Sequence, residues 1–384
     1  MRDAVLAAFQ EVYRRPAEYL VRAPARANLI GEHTDYNDGF VMPMAVDRAL
    51  WLALAPGHDD TLRVHSLDFG GEMAAFSLAQ LQDDSLPHWS KHVRGGWWLA
   101  AEKGYSPPGA DVLIGSDIPI GAGMSSSAAI GVAVIEAILA LAGDTSNSQI
   151  DKALLAVELE HKFIGVPCGV MDQIASAAGL EGSAMLLDCR SLEINPVHIP
   201  DGVQILVMDT KVSRALADTA YAERRRECQE AATLLAVPAL RDATLDRIEA
   251  ERSNLGETRF HRARHVVTEN WRTLNMREAL EQRDLTRAGE LLNASHASLR
   301  DEYEVSVTEL DLMCGLAQSQ PSCYGARMMG GGFGGSAVAL VRANGVAAIA
   351  TYLEEHYAEE TGLSPSFYVC SPSSGSGVEY LPAS

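Results

Sequence analysis

Ile118-Pro119-Ile120-Gly121-Ala122-Gly123-Met124-Ser125-Ser126-Ser127-Ala128-Ala129 sets a glycine turn against three serines, and the serines run into the apolar segment 128–141. Glycine at 121 and 123 permits tight, positive-φ turns that leave amide N–H groups exposed. The serines stand where a helix would begin, and serine is a favoured N-cap because its oxygen accepts an orphan helical N–H. Unpaired amides and the positive end of a helix dipole would then converge on one point, which suits an anion and phosphate above all. The same letters also describe a glycine turn leading into an ordinary capped helix. No G-x-x-x-x-G-K-[ST] occurs in the chain, so phosphate held here is held without a P-loop lysine.

Working back towards residue 1, the segments 3–13 and 89–103 read as helices, and 19–23, 40–46 and 110–114 as strands. Further alternating strands fill 51–81, with turns at Gly57 and Gly70-Gly71. Between strands lies Pro24-Ala25-Arg26-Ala27-Asn28-Leu29-Ile30-Gly31-Glu32-His33-Thr34-Asp35-Tyr36-Asn37-Asp38-Gly39. So many polar groups between apolar strands mark a binding loop, or alternatively a solvated hairpin. Working forward, Ser148 caps a helix to about Ile164, closed by Gly165. Asp172 then opens a short helix, where an aspartate can be no more than an N-cap.

Strands follow at 185–188 and 203–208, and Pro196 and Pro200 bracket a link that places a domain boundary near 198. The remainder is largely helical, over 216–235, 244–253, 258–282, 286–300 and 304–318. Arg224-Arg225-Arg226 lies among Glu223, Glu227 and Glu230 and reads as a paired surface face. Gly330-Gly331-Gly332-Phe333-Gly334-Gly335 matches G-x-G-x-x-G by letter. A strand, 336–341, follows it, whereas the dinucleotide fingerprint must open a helix. A strand–glycine loop–strand hairpin is expected instead, one that lets backbone approach a ligand or another loop closely.

The 384 residues suffice for two domains, and a composition of 47% hydrophobic and 21% charged residues is that of a soluble globular protein. A net charge of −20 argues against nucleic-acid and anionic-membrane partners. Six cysteines without C-x-x-C pairing predict reduced thiols, no zinc site and a cytoplasmic location. No signal-peptide pattern opens the sequence, and the longest apolar run is too short to span a bilayer.

Three motifs now stand in order, and together they resemble the GHMP kinase superfamily, most nearly its galactokinase family. Arg26-Ala27-Asn28-Leu29-Ile30-Gly31-Glu32-His33-Thr34-Asp35-Tyr36-Asn37 is similar to the galactokinase signature. Gly121 to Ala129 resembles the ATP motif, and Gly325 to Gly335 the third glycine motif. Segments 168–173, 265–270, 295–300 and 368–370 extend the likeness over nearly the whole chain. The resemblance implies an α+β fold of two domains, 1–198 and 199–384, with the active site in the cleft between them.

It also implies ATP-dependent phosphorylation of the anomeric hydroxyl of galactose, with Mg²⁺ as cofactor and a monomer or weak homodimer. On matching positions, Asp172 is the expected catalytic carboxylate and Arg26 its partner. Glu32, His33, Asp35, Gly169 and Tyr221, with Asp172, are expected to hold the sugar. Gly121, Ala122, Gly123, Met124, Ser125, Ser126 and Ser127 would wrap the ATP phosphates, with Trp89 against adenine. Ser127 and Glu160 would meet Mg²⁺, which takes few protein oxygens and several from phosphate or water.

A cation beside a carboxylate weakens it as a base, but in a loose transition state the hydroxyl proton leaves late and a weak base suffices. Asp172 is therefore expected as base, with orientation of the hydroxyl as the alternative role. Three positions depart from the family pattern. Val212-Ser213-Arg214-Ala215-Leu216 lacks the usual basic–His pair, His92 replaces an aromatic three residues after Trp89, and Ala25 replaces a glycine before Arg26. Sister kinases for arabinose, galacturonate or N-acetylgalactosamine share the motifs, and Glu32-His33-x-Asp35 favours galactose. A catalytically silent galactose sensor is the alternative from another class, against which the intact 125–129 run, Asp172 and Arg26 speak.

Overall fold

The computed structural model describes residues 1–213 and 217–382. In chain order the first half comprises α1 (Arg2–Tyr13), β1 (Tyr19–Asn28), β2 (Phe40–Val41), β3 (Pro43–Pro56), β4 (Thr61–Ser66), β5 (Glu72–Ser77), α2 (Lys91–Glu102), β6 (Ala110–Ser116), α3 (Ser126–Ala142), α4 (Gln149–Leu159), α5 (Met171–Ala178), β7 (Ser183–Asp188) and β8 (Ile194–His198). The second comprises β9 (Val203–Asp209), α6 (Ala217–Leu234), α7 (Leu245–Ala250), α8 (Arg252–Glu281), α9 (Leu285–Asp301), α10 (Thr308–Gln318), β10 (Cys323–Met329), β11 (Ser336–Arg342), α11 (Val346–Thr361), β12 (Ser366–Cys370) and β13 (Gly377–Tyr380).

Three sheets carry these strands, in the orders β13-β1-β3-β6-β4-β5, β2-β7-β8 and β10-β11-β9-β12. Among the described residues every strand pairing is antiparallel except β4 with β6, and helices pack on the sheets, which makes the fold α+β. One apolar core joins α3 to the first sheets, and a second lies among β9–β11 and the later helices. Helix α3 is apolar on all sides and accordingly buried. Its one charge, Glu136, is held by Lys152 at 3.0 Å and by the Ser376 hydroxyl at 2.7 Å.

The last strand returns to the first sheet. Ser373 N–H donates to the Ala45 carbonyl at 3.0 Å and Gly375 N–H to that of Gly179 at 2.9 Å, and β13 then pairs with β1, Tyr380 opposite Tyr19. This crossing strap closes the edge of the first sheet.

The expected strand 40–46 is split between β2 and β3, β3 runs on unbroken to Pro56, and two further differences from the sequence reading trace to a proline. Pro24 does not end β1; the register shifts between Pro24 and Arg26, and the strand continues to Asn28. A bulge accommodates the missing N–H and turns the following residues, so that Arg26 N–H donates to the Met124 carbonyl at 3.1 Å. Pro196 sits within β8 rather than in a link, because β8 is an edge strand that need not donate on its open side. Ser148 caps α4 through a reciprocal pair with Asp151, and the helix ends in a π-helical turn, Glu160–Ile164. The glycine motif does join two antiparallel strands, β10 and β11.

Candidate active site

Between the two halves lies a cleft of about 660 Å³, floored by the ends of β1 and α5 and walled by the 121–127 loop, the 165–169 loop, α6 and the start of the glycine hairpin. Gly121 and Gly123 take positive φ, 81° and 65°, as the turn requires. The loop's carbonyls point into protein. Ala122 O accepts from Ser336 Oγ at 2.7 Å, Gly123 O from Arg26 Nη1 at 2.6 Å, and Met124 O from Arg26 N–H. The first amides of α3 have no intrahelical acceptor, and no side chain caps them. That leaves an open helix N-terminus at the cleft wall, an anion site by construction.

The expected serine cap is absent for a conformational reason. Ser125, at the N-cap position, is left-handed (φ 57°, ψ 54°), whereas a capping side chain needs an extended backbone to reach the amides. Its hydroxyl donates instead to Asp172 Oδ2. Nor is Asp172 an N-cap: Val170 holds that position on α5, and Asp172 faces Arg26. Arg26 Nε and Nη2 donate to Asp172 Oδ1 and Oδ2 at 2.7 and 2.9 Å, a bidentate pair. Arg26 is thus shared between this carboxylate and the carbonyl of Gly123.

Five more expected residues gather beside Asp172. Glu32 Oε1 accepts from Gly330 N–H at 2.7 Å and from Arg327 Nη2 at 3.0 Å. His33 Nδ1 lies 2.9 Å from the Tyr36 hydroxyl, which meets that of Tyr303 at 2.8 Å. Burial holds the His33 imidazole down to about 3, against a smaller opposing pull from the Gly331 backbone, so it is neutral near pH 7. Burial, and then the charge of Asp172, pushes Asp35 up to about 7. A methyl group at Gly169 would overlap the Asp35 carboxylate, so any larger residue there would displace it. The Tyr221 ring packs 5.6 Å from that of His33.

The remaining expected residues stand further back. Ala122 is buried behind its loop. Ser126 and Ser127 are exposed at the cleft wall. Glu160 is buried, with one carboxylate oxygen 3.0 Å from His92 Nε2, and its charge reaches the cleft-lining Cys168, whose thiol burial pushes up to about 12. Trp89 does not line the cleft. Its indole donates to Glu72 at 2.8 Å, and its ring stacks near Phe69 at 6.1 Å.

Among the described residues no three His, Cys, Asp or Glu side chains are placed to hold a metal. The donors present, one hydroxyl and one carboxylate, fit a hard cation that takes its other oxygens from phosphate and water.

Sequence reading missed several cleft residues. Gly330 and Gly331 were within reach, being in a motif already singled out, whereas Pro167, Thr219 and Ala222 carry no local signal. The arginine triplet is only partly a surface face. Arg226 pairs with Glu230, but Arg224 donates to the Tyr303 carbonyl and Arg225 to that of Pro167 at 2.7 Å. Of the stretch 212–216 that departs from the family pattern, Arg214, Ala215 and Leu216 lie outside the described residues.

Comparison with known proteins identifies the relatives of the chain. Residues 7–56 match the model of the galactokinase galactose-binding signature, 91–180 that of the GHMP kinase N-terminal domain and 276–359 that of the C-terminal domain. The chain is 44% identical to a galactokinase of Chloroflexus aurantiacus, covering 100% of this chain and 98% of that one. A galactokinase of Roseiflexus sp. is 42% identical, covering 96% and 95%. The fold is similar to the crystal structure of Lactococcus lactis galactokinase complexed with galactose, with TM-score 0.93 and 35% identity over 98% of this chain and 99% of that one. A Methanococcus jannaschii mevalonate kinase, 16% identical with TM-score 0.67 over 92% of this chain and 98% of that one, shares the fold.

Proposed function

The chain belongs to the galactokinase family of the GHMP kinases, and from that premise we propose how its cleft transfers phosphate from ATP to the anomeric hydroxyl of D-galactose. One observation carries the mechanism. Arg26 bridges the Asp172 carboxylate and the phosphate-loop carbonyl at Gly123, so acceptor and donor subsites meet at one guanidinium.

The sugar lies against Glu32, His33, Asp35, Gly169 and Tyr221. The carboxylates accept from its hydroxyls, and the neutral His33 ring offers a polar contact. Asp172 orients the anomeric hydroxyl and receives its proton as the new O–P bond forms and the bond to the ADP oxygen breaks. Arg26 and the open N-terminus of α3 neutralise charge on the transferring group. Ser127 and Glu160 would hold Mg²⁺, which supplies further charge neutralisation on the phosphates when bound. Trp89 and the stacked Phe69 offer an aromatic surface for adenine. The two units divide near residue 198, and a monomer or weak homodimer in the cytoplasm suits a chain of net charge −20.

The test is an ATP-consumption assay with Mg²⁺ over galactose, 2-deoxygalactose, N-acetylgalactosamine, arabinose, galacturonate and glucose. Turnover should be strongest on galactose and fall about 10³-fold or more in Asp172→Ala, with galactose binding retained. Strongest turnover on another sugar overturns the substrate. Galactose binding without turnover on any sugar overturns the enzyme in favour of a sensor.

A further inference from the structure

Arg327 is fully buried in β10, and it spends its side chain on the other half of the chain. Nε donates to the Leu29 carbonyl at 2.7 Å and Nη2 to that of Asn28 at 2.7 Å, while Nη1 turns back to Met328 O at 2.7 Å. Nη2 also pairs with Glu32 Oε1 at 3.0 Å, where the Gly330 amide arrives at 2.7 Å. Gly330 has a φ of 83°, which aims that amide back at the carboxylate. The rest of the glycine run is used elsewhere. Phe333 N–H donates to Val305 O at 2.8 Å and Gly335 N–H to Val212 O at 3.0 Å.

We propose that Arg327 and the Gly330 amide form a clasp that positions Glu32 for sugar recognition, so that the third glycine motif serves the sugar side of the cleft. The clasp occupies Oε1 of a residue that lines the cleft, and Oε2 is the oxygen that it leaves for a ligand. A carboxylate with one oxygen fixed by two donors has a set direction for the other, and a hydroxyl of the wrong orientation then meets no acceptor. Arg327 touches no substrate; it acts through Glu32. Lysine cannot replace it, because a single ammonium cannot reproduce the planar fork that spans Asn28, Leu29 and Glu32 together.

This rests on the reading of Glu32 as a galactose contact, and the experiment separates the two. Arg327→Lys should raise the KM for galactose about tenfold and leave the KM for ATP within about twofold. In a Glu32→Gln background, where galactose KM is already raised, Arg327→Lys should add little. Equal rises in both KM values, or additive effects of the two substitutions, overturn the clasp. A Glu32→Gln protein with unchanged galactose KM overturns the sugar-contact reading and the clasp with it.

Because a buried arginine can be needed for folding, hydrogen exchange on the unmodified protein gives a second reading. Galactose should slow exchange in 29–34 and 328–331 together, and ADP alone should not. Slowing in 29–34 without any in 328–331 overturns the proposal.

Discussion

Asp35 is the residue whose chemistry and stability pull against each other. Its carboxyl is pushed up to about 7 by burial and by the neighbouring Asp172, so folding favours its protonated form. An unfolded aspartate ionises near 4, so between about pH 4 and pH 7 the native chain holds a proton that the unfolded chain releases. Stability from this site therefore declines as pH rises through that window, and the full penalty stands above 7. Asp35→Asn removes the charge, and it should raise the melting temperature of the ligand-free protein more at pH 8 than at pH 5.5. The stabilisation at pH 8 should be on the order of 1 kcal/mol. The same substitution should raise galactose KM at least about tenfold, because an acceptor is lost. Scanning calorimetry at the two pH values checks the first expectation; equal stabilisation at both would refute it. The wild-type kcat/KM for galactose should correspondingly rise with pH between about 6 and 8 as Asp35 ionises.

Among the elements, the glycine–serine loop and α4 illustrate two uses of serine that look alike in sequence. Ser148 is a true cap, and Ser148→Ala should cost about 1 kcal/mol by chemical denaturation with both KM values unchanged. Ser125 is committed to Asp172, and the loop that carries it depends on positive φ at Gly123. Gly123→Val should raise the KM for ATP and lower kcat with little change in galactose KM; a rise confined to galactose would contradict the phosphate reading. The order of strands and helices was legible because hydrophobic periodicity and turn residues are local, as in α3 and the β10–β11 hairpin. The β1 bulge and β8 were not, since proline reads as a break and its tolerance depends on neighbouring strands. The roles expected of Arg26 and Asp172 came from the family resemblance that the motifs carry, since Asp172 read alone was no more than an N-cap. Pairings such as Arg327 with Glu32 or Tyr36 with Tyr303 join residues far apart in sequence, and no local pattern announces them.

At the scale of the whole molecule, a net charge of −20 repels nucleotide while leaving galactose unaffected. Raising salt from about 20 to 150 mM should therefore raise kcat/KM for ATP severalfold and leave that for galactose unchanged, as measured in initial rates. The strap at 371–380 ties the second half back to Ala45, Gly179 and β1. Deleting residues 371–384 should lower the melting temperature by more than about 5 °C or leave the protein insoluble; a truncated protein melting within a degree of the full chain would refute this. The pairing of β13 with β1 also bears on biosynthesis. On the ribosome, Tyr19–Arg22 emerges early, and the strand that covers it is made after the entire second half. Throughout translation the nascent chain exposes an unpaired strand edge, the kind of surface on which neighbouring nascent chains pair and aggregate. Expression yield should thus depend on chaperones that shield that edge until the covering strand arrives.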